Sequence, residues 1–103
     1  MYRIYFKEKN GKRINEEPLI TEDMPLYGST FCLSLKEDAV TMRVEDSVRI
    51  FGTNDLDNGF SYYLTVAVAP KSISSSTDFT PEQLEIVKRD IKELNANKKP
   101  LKI

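Results

Sequence analysis

The stretch from Phe60 to Ala69 constrains the fold of this chain more than any other. Phe60, Tyr62, Leu64, Val66 and Val68 form a large apolar face, and Ser61, Tyr63, Thr65, Ala67 and Ala69 form an opposite face that is small apart from Tyr63. Alternation of this kind, rich in β-branched and aromatic residues, predicts a strand, and bulk on one face predicts a central strand with something large laid against it.

One later segment can supply that cover. Thr80-Pro81-Glu82-Gln83 reads as an N-cap, a proline in the first turn and a capping box, with Phe79 placed to staple onto Leu84. Leu84, Val87, Ile91 and Leu94 follow at helical spacing, while Glu82, Glu85, Lys88, Arg89, Lys92 and Glu93 fall on the polar side. A Glu85–Arg89 pair is expected along that side, and burying the four aliphatic residues is worth on the order of 1.5–3 kcal/mol each.

The N-terminal half reads as strands. Tyr2, Ile4 and Phe6 alternate with Arg3, Tyr5 and Lys7 before the turn signal Asn10-Gly11, and a return strand is expected over 12–16. A turn with Gly11 in a bulge places Ile14 with Ile4 and Phe6, whereas a two-residue turn places it with Tyr5 and Lys7; burial of Ile14 favours the first. Residues 17–29, which contain Pro18, Pro25 and Gly28, read as a connection with one helical turn at Thr21–Met24. Phe31, Leu33 and Leu35 predict a half-buried strand in which Cys32 is a small packed side chain. From Val40 to Ile50 the even positions are apolar except Asp46, which marks a bend or bulge facing water. With parity kept across it, the segment is either one long bent strand or two short ones.

Strands grouped ahead of one helix define an α+β class: a single domain over 1–103 with an antiparallel sheet of about five or six strands and a C-terminal amphipathic helix on one face. Its 103 residues are the length of one domain. No apolar run approaches the roughly 20 residues of a membrane-spanning helix, so no membrane role is expected beyond a peripheral one. The N-terminus lacks the apolar core of a secretory signal and the single cysteine allows no internal disulfide, which together make the cytoplasm the expected compartment.

The chain contains no histidine. Histidine-based acid–base catalysis, Ser-His-Asp and Cys-His pairs and the usual His/Cys zinc sites are thereby excluded, and no cofactor or metal is expected. The loop Asn54-Asp55-Leu56-Asp57-Asn58-Gly59 collects oxygen ligands but fails the register of a calcium loop, since Thr65 stands where the closing glutamate belongs. Ser74-Ser75-Ser76 lacks the glycines of a nucleophile elbow and reads as a linker. The four glycines are scattered at turns, which excludes a phosphate loop. An enzyme using carboxylates alone needs a substrate cleft that one small sheet seldom offers.

Charge is segregated along the chain. Residues 1–15 carry five bases against Glu8, a balance of +4, residues 16–60 balance at −7, and residues 61–103 at +2. This bipolarity, with the missing catalytic groups, predicts a non-catalytic binding protein of bacterial or phage type, an inhibitor or adaptor that occupies the surface of a protein partner. Arg3, Tyr5, Lys7 and Arg13 are the candidates for an anionic partner; Asp55 and Asp57, with Glu37 and Asp38, are those for a basic one. The alternative is a single-stranded nucleic-acid-binding domain using the basic and aromatic N-terminal hairpin with Lys98, Lys99 and Lys102. A homodimer formed through a sheet edge is a third expectation.

Overall fold

The computed structural model describes residues 2–50, 60–69 and 76–97. Five strands, β1 (Tyr2–Lys7), β2 (Leu19–Thr21), β3 (Thr30–Phe31), β4 (Met42–Ile50) and β5 (Phe60–Val68), form one sheet in the order β2-β1-β5-β4-β3. The helix among the described residues, α1 (Pro81–Ala96), contributes Val87 and Ile91 to a core that also holds Ile4, Phe6, Leu64 and Val66. The class is α+β, as the pattern of elements implied.

The expected antiparallel sheet is in fact mixed. β1 and β5 lie side by side in parallel, from Tyr2↔Phe60 to Lys7↔Thr65, while β1–β2, β3–β4 and β4–β5 are antiparallel. Alternation reports which face a residue takes but carries no information on the direction of the neighbouring strand. The parallel pair brings the fully buried Ile4 and Phe6 of β1 beside Leu64 and Val66 of β5, whose other neighbour β4 adds the equally buried Met42 and Val44.

The turn after β1 takes the bulged register. Gly11 has φ +87°, a left-handed conformation suited to glycine; its N–H donates to the Glu8 carbonyl, and the Glu8 N–H donates to the Lys12 carbonyl, both at 2.9 Å. Lys7 and Arg13 form an antiparallel bridge, and buried Ile14 joins Ile4 and Phe6 in the core. No strand follows over 12–16, because the side chain of Asn15 takes the place of the backbone ladder. Its Oδ1 accepts the Phe6 N–H at 2.7 Å, and its Nδ2 donates to the carbonyls of Ile4 and Glu17 at 3.1 and 2.7 Å. Beyond this clamp the same edge of β1 passes to β2, a short strand inside the segment expected to be a connection; Thr21 ends that strand, and no helical turn forms over 21–24. Asn15→Ala is expected to lower the stability by about 2–4 kcal/mol, since it strands a buried N–H and a buried carbonyl. Urea unfolding of the two proteins measures this directly.

Beyond β3 the expected alternation fails. Phe31 and Leu33 are buried, but Leu35 is fully exposed and Cys32 is exposed rather than packed. Here the chain has left the sheet for a turn fastened to α1: Lys36 Nζ lies 2.8 Å from Glu93 Oε2, and Asp38 receives a bidentate bond from Arg89 at 2.7 and 3.0 Å. Arg89 also donates to the buried Asp90 at 2.9 and 3.1 Å, so its partners are Asp38 and Asp90 in place of the expected Glu85. Glu85 instead lies 3.9 Å from Lys88.

The hydrogen bonds from Arg89 hold the Asp38 carboxyl below its ordinary pKa, and those from Lys36 do the same for Glu93. A carboxyl whose pKa is depressed by folding adds stability above its unfolded value and loses it as pH falls through the folded one. Stability is therefore expected to fall as the pH drops below the carboxylate range, with a shallower fall in Asp38→Asn and Glu93→Gln, as read from unfolding midpoints across an acid pH series. Both pairs are solvent-exposed, so the effect should shrink in high salt.

β4 is one continuous strand with a bulge between Val44 and Asp46. Asp46 is exposed at the irregularity, as its break in the pattern implied, but parity is not kept across it. The extra residue reverses the faces: Met42 and Val44 are buried opposite Val68 and Val66, whereas Ser47 and Arg49 stand opposite Leu64 and Tyr62. Val48 and Ile50 consequently move to the sheet face opposite α1, and Val48 is 53% exposed.

The start of α1 follows the sequence closely. Thr80 Oγ1 accepts the Gln83 N–H at 3.2 Å, Gln83 Oε1 accepts the Thr80 N–H at 2.9 Å, and Phe79 is buried. Among the described residues, no helix is long and apolar enough to cross a membrane.

Candidate functional site

The sheet face opposite α1 gathers most of the N-terminal candidates. With Ile4 and Phe6 turned into the core, alternation turns Arg3, Tyr5 and Lys7 the other way. The parallel pairing then sets Arg3 beside Ser61, Tyr5 beside Tyr63 and Lys7 beside Thr65, and the bridge to Lys7 adds Arg13. From β4 come Asp46 opposite Thr65 and Val48 opposite Tyr63.

Two tyrosines and two cations form the centre of this face. The rings of Tyr5 and Tyr63 have centroids 5.7 Å apart and are inclined at 49°. The guanidinium of Arg13 lies 4.3 Å from the Tyr5 centroid and 5.5 Å from that of Tyr63, and Lys7 Nζ lies 4.1 Å from the Tyr63 centroid. Arg13 Nη2 also reaches Tyr63 Oη at 3.5 Å, the long limit for a hydrogen bond. Arg3 is anchored at the flank, its Nε donating to Ser61 Oγ at 2.8 Å.

The electrostatics follow from this geometry. Lys7 and Arg13 are like charges on paired positions, an arrangement that costs energy on a bare sheet. The negative faces of the tyrosine rings offset that repulsion, each cation–π contact contributing about 0.5–1 kcal/mol at an exposed site. Both cations are thus held in place without a carboxylate partner among these contacts, and their charge remains available to an incoming anion. Asp46 marks the β4 side of the face and gives it polarity.

Of the residues singled out from the sequence, Arg3, Tyr5, Lys7 and Arg13 are brought together. Asp55 and Asp57, with the whole calcium-like loop, lie outside the described residues, as do Ser74, Ser75, Lys98, Lys99 and Lys102. Asp38 is occupied by Arg89. Tyr63 was not among the candidates, although it is central; the signal was its size on an otherwise small face. Val48 was hidden by the bulge.

A groove of about 830 Å³ runs on the helix side between 12–17 and α1. It mixes Lys12, Lys88 and Lys92 with Glu16 and Glu17 and presents no nucleophile paired with a base. Among the described residues, no group of three or more His, Cys, Asp or Glu side chains is placed to hold a metal ion. Compared with protein-family models, with curated protein sequences and with solved structures, the chain matches none.

Proposed function

We propose that this is a non-catalytic binding domain that docks on an acidic surface of a protein partner through the cationic tyrosine face, acting as an inhibitor or adaptor by occupying that surface. The observation that carries this reading is the placement of Lys7 and Arg13 over the rings of Tyr63 and Tyr5. Tyrosine and arginine are the residue types enriched where binding energy concentrates, and positioned cations lose less freedom when an anion arrives.

The same placement favours a protein partner over single-stranded nucleic acid. Base stacking needs free aromatic faces. Here a cation already stands over each ring, and a base would have to displace it. A folded partner bearing carboxylates needs no such displacement.

Retention of partners on immobilised protein tests this. Wild type, Lys7→Glu/Arg13→Glu and Tyr63→Ala are compared in bacterial lysate at low and moderate salt, with and without nuclease. A retained protein that resists nuclease, weakens with salt and disappears with the charge reversal supports the reading. Retention that requires nucleic acid would make the face a single-stranded nucleic-acid-binding surface, and retention unchanged by the reversal would mean that the partner docks elsewhere on the domain.

A further inference from the structure

Between β2 and β3 the chain makes an excursion with a fixed base and an apolar, exposed tip. On the approach, Pro25 is buried and Met24 packs against the core. On the exit, Gly28 takes φ +79°, and its N–H donates to the Val44 carbonyl at 2.8 Å, while the Val44 N–H donates to the Ser29 carbonyl at 3.0 Å. The turn itself is closed by Ser29, whose N–H and Oγ–H both donate to the Leu26 carbonyl, at 3.0 and 2.5 Å. Leu26 and Tyr27 project from this turn, each 74% exposed.

A mobile loop could fold two such side chains back onto the protein. In this one the backbone that carries them is fixed, because the residues on both sides are committed to the core and to β4. The backbone ordering that normally opposes binding by a loop is already in place, and large apolar side chains presented in this way are suited to insertion into a concavity. Just upstream on the same excursion stand the exposed carboxylates of Glu22 and Asp23. An apolar tip with an acidic base complements a pocket with an apolar floor and a basic rim. The same carboxylates oppose adsorption to an anionic bilayer, which attracts basic segments.

We propose that Leu26 and Tyr27 form a rigid plug that inserts into an apolar, basic-rimmed pocket of a protein partner, a contact separate from the cationic tyrosine face. The domain then has two docking surfaces of opposite charge; the plug is tested on the partner retained in the experiment above, and separate tip and face variants distinguish failure of the plug from failure of the face.

The test uses the full chain, with two probes: the protein retained by wild type, once purified, and phosphatidylserine vesicles. Leu26→Ser/Tyr27→Ser and each single change are compared with Lys7→Glu/Arg13→Glu. All of the tip variants should keep the wild-type thermal midpoint, since both side chains are already in water. The double tip variant is expected to bind the retained protein at least about 30-fold more weakly, about 2 kcal/mol, with an unchanged dependence on salt. A benzophenone amino acid at position 27 should cross-link to a segment of that protein where apolar residues adjoin lysine or arginine. The face variant should instead flatten the salt dependence and, at protein concentrations raised enough to restore the complex, give the same cross-link. A tip variant that binds within twofold of wild type, no protein retained by wild type, or vesicle binding that is lost in the tip variant would each overturn the proposal.

Discussion

Phe6→Ala is expected to cost about 3–5 kcal/mol, a large share of the stability of a domain this size. The ring is fully buried, stacks on Phe31 at a centroid distance of 5.9 Å and lies beside Leu64 in the central parallel pair. Its backbone is held as firmly: the N–H bonds to Asn15 and the carbonyl accepts from the Ile14 N–H at 2.8 Å. The cavity would therefore open where sheet, arm and core meet, with little freedom to collapse. Tyr5→Ala, one residue earlier and on the opposite face, should cost far less, since it removes a half-buried ring and a cation–π contact. Denaturant unfolding of both variants checks the contrast. A Tyr5 variant as unstable as the Phe6 variant would mean that the face opposite α1 is a second core.

Reversing Lys7 and Arg13 to glutamate is expected to weaken partner binding by about 100-fold or more, since truncating one residue at the centre of an interface costs about 2 kcal/mol and reversal adds repulsion. Repulsion on an exposed surface is screened over about 10 Å at 0.1 M salt. The loss should thus be greatest at low ionic strength. The folded state should tolerate the change, because both side chains contact tyrosine rings on the sheet surface rather than groups in the core. A titration of the retained protein at two salt concentrations reads both effects. Equal losses at the two salts would point to a steric rather than an electrostatic contact.

The elements specified by local chemistry were legible in the sequence. Thr80, Pro81 and Gln83 define the start of α1 without help from the rest of the chain, and Asn10-Gly11 with Ile14 define the bulged turn. Strand direction was not legible, because Ile4 and Leu64 read the same beside a parallel or an antiparallel neighbour. The reversal of faces after Val44 was hidden for a related reason: one inserted residue shifts the period, and the apolar Val48 and Ile50 happen to maintain the appearance of the old one. Leu35 looked like a core residue by alternation, yet the chain leaves the sheet after Phe31 for a turn that Lys36 and Asp38 fasten to α1, and alternation carries no sign of where a strand ends.

The candidate face was half legible. Arg3, Tyr5 and Lys7 share a face by alternation alone, and the bulged turn implies that Arg13 follows Lys7. Tyr63 joins them because β5 pairs with β1 in the register that sets it beside Tyr5, a long-range pairing with no local signal. Asn15 was passed over since a polar residue after a turn ordinarily faces water; its role appears only where the return arm gives way to β2.

Backbone amide shifts of the labelled protein, recorded as the retained protein is added, show residue by residue whether the cationic tyrosine face is the docking surface. The expected perturbations cluster on 3–7, Arg13, 61–65 and Val48, with a separate group at 26–28 if the plug is engaged. Perturbations confined to the outer surface of α1, with Tyr5, Lys7, Arg13 and Tyr63 silent, would contradict the docking face.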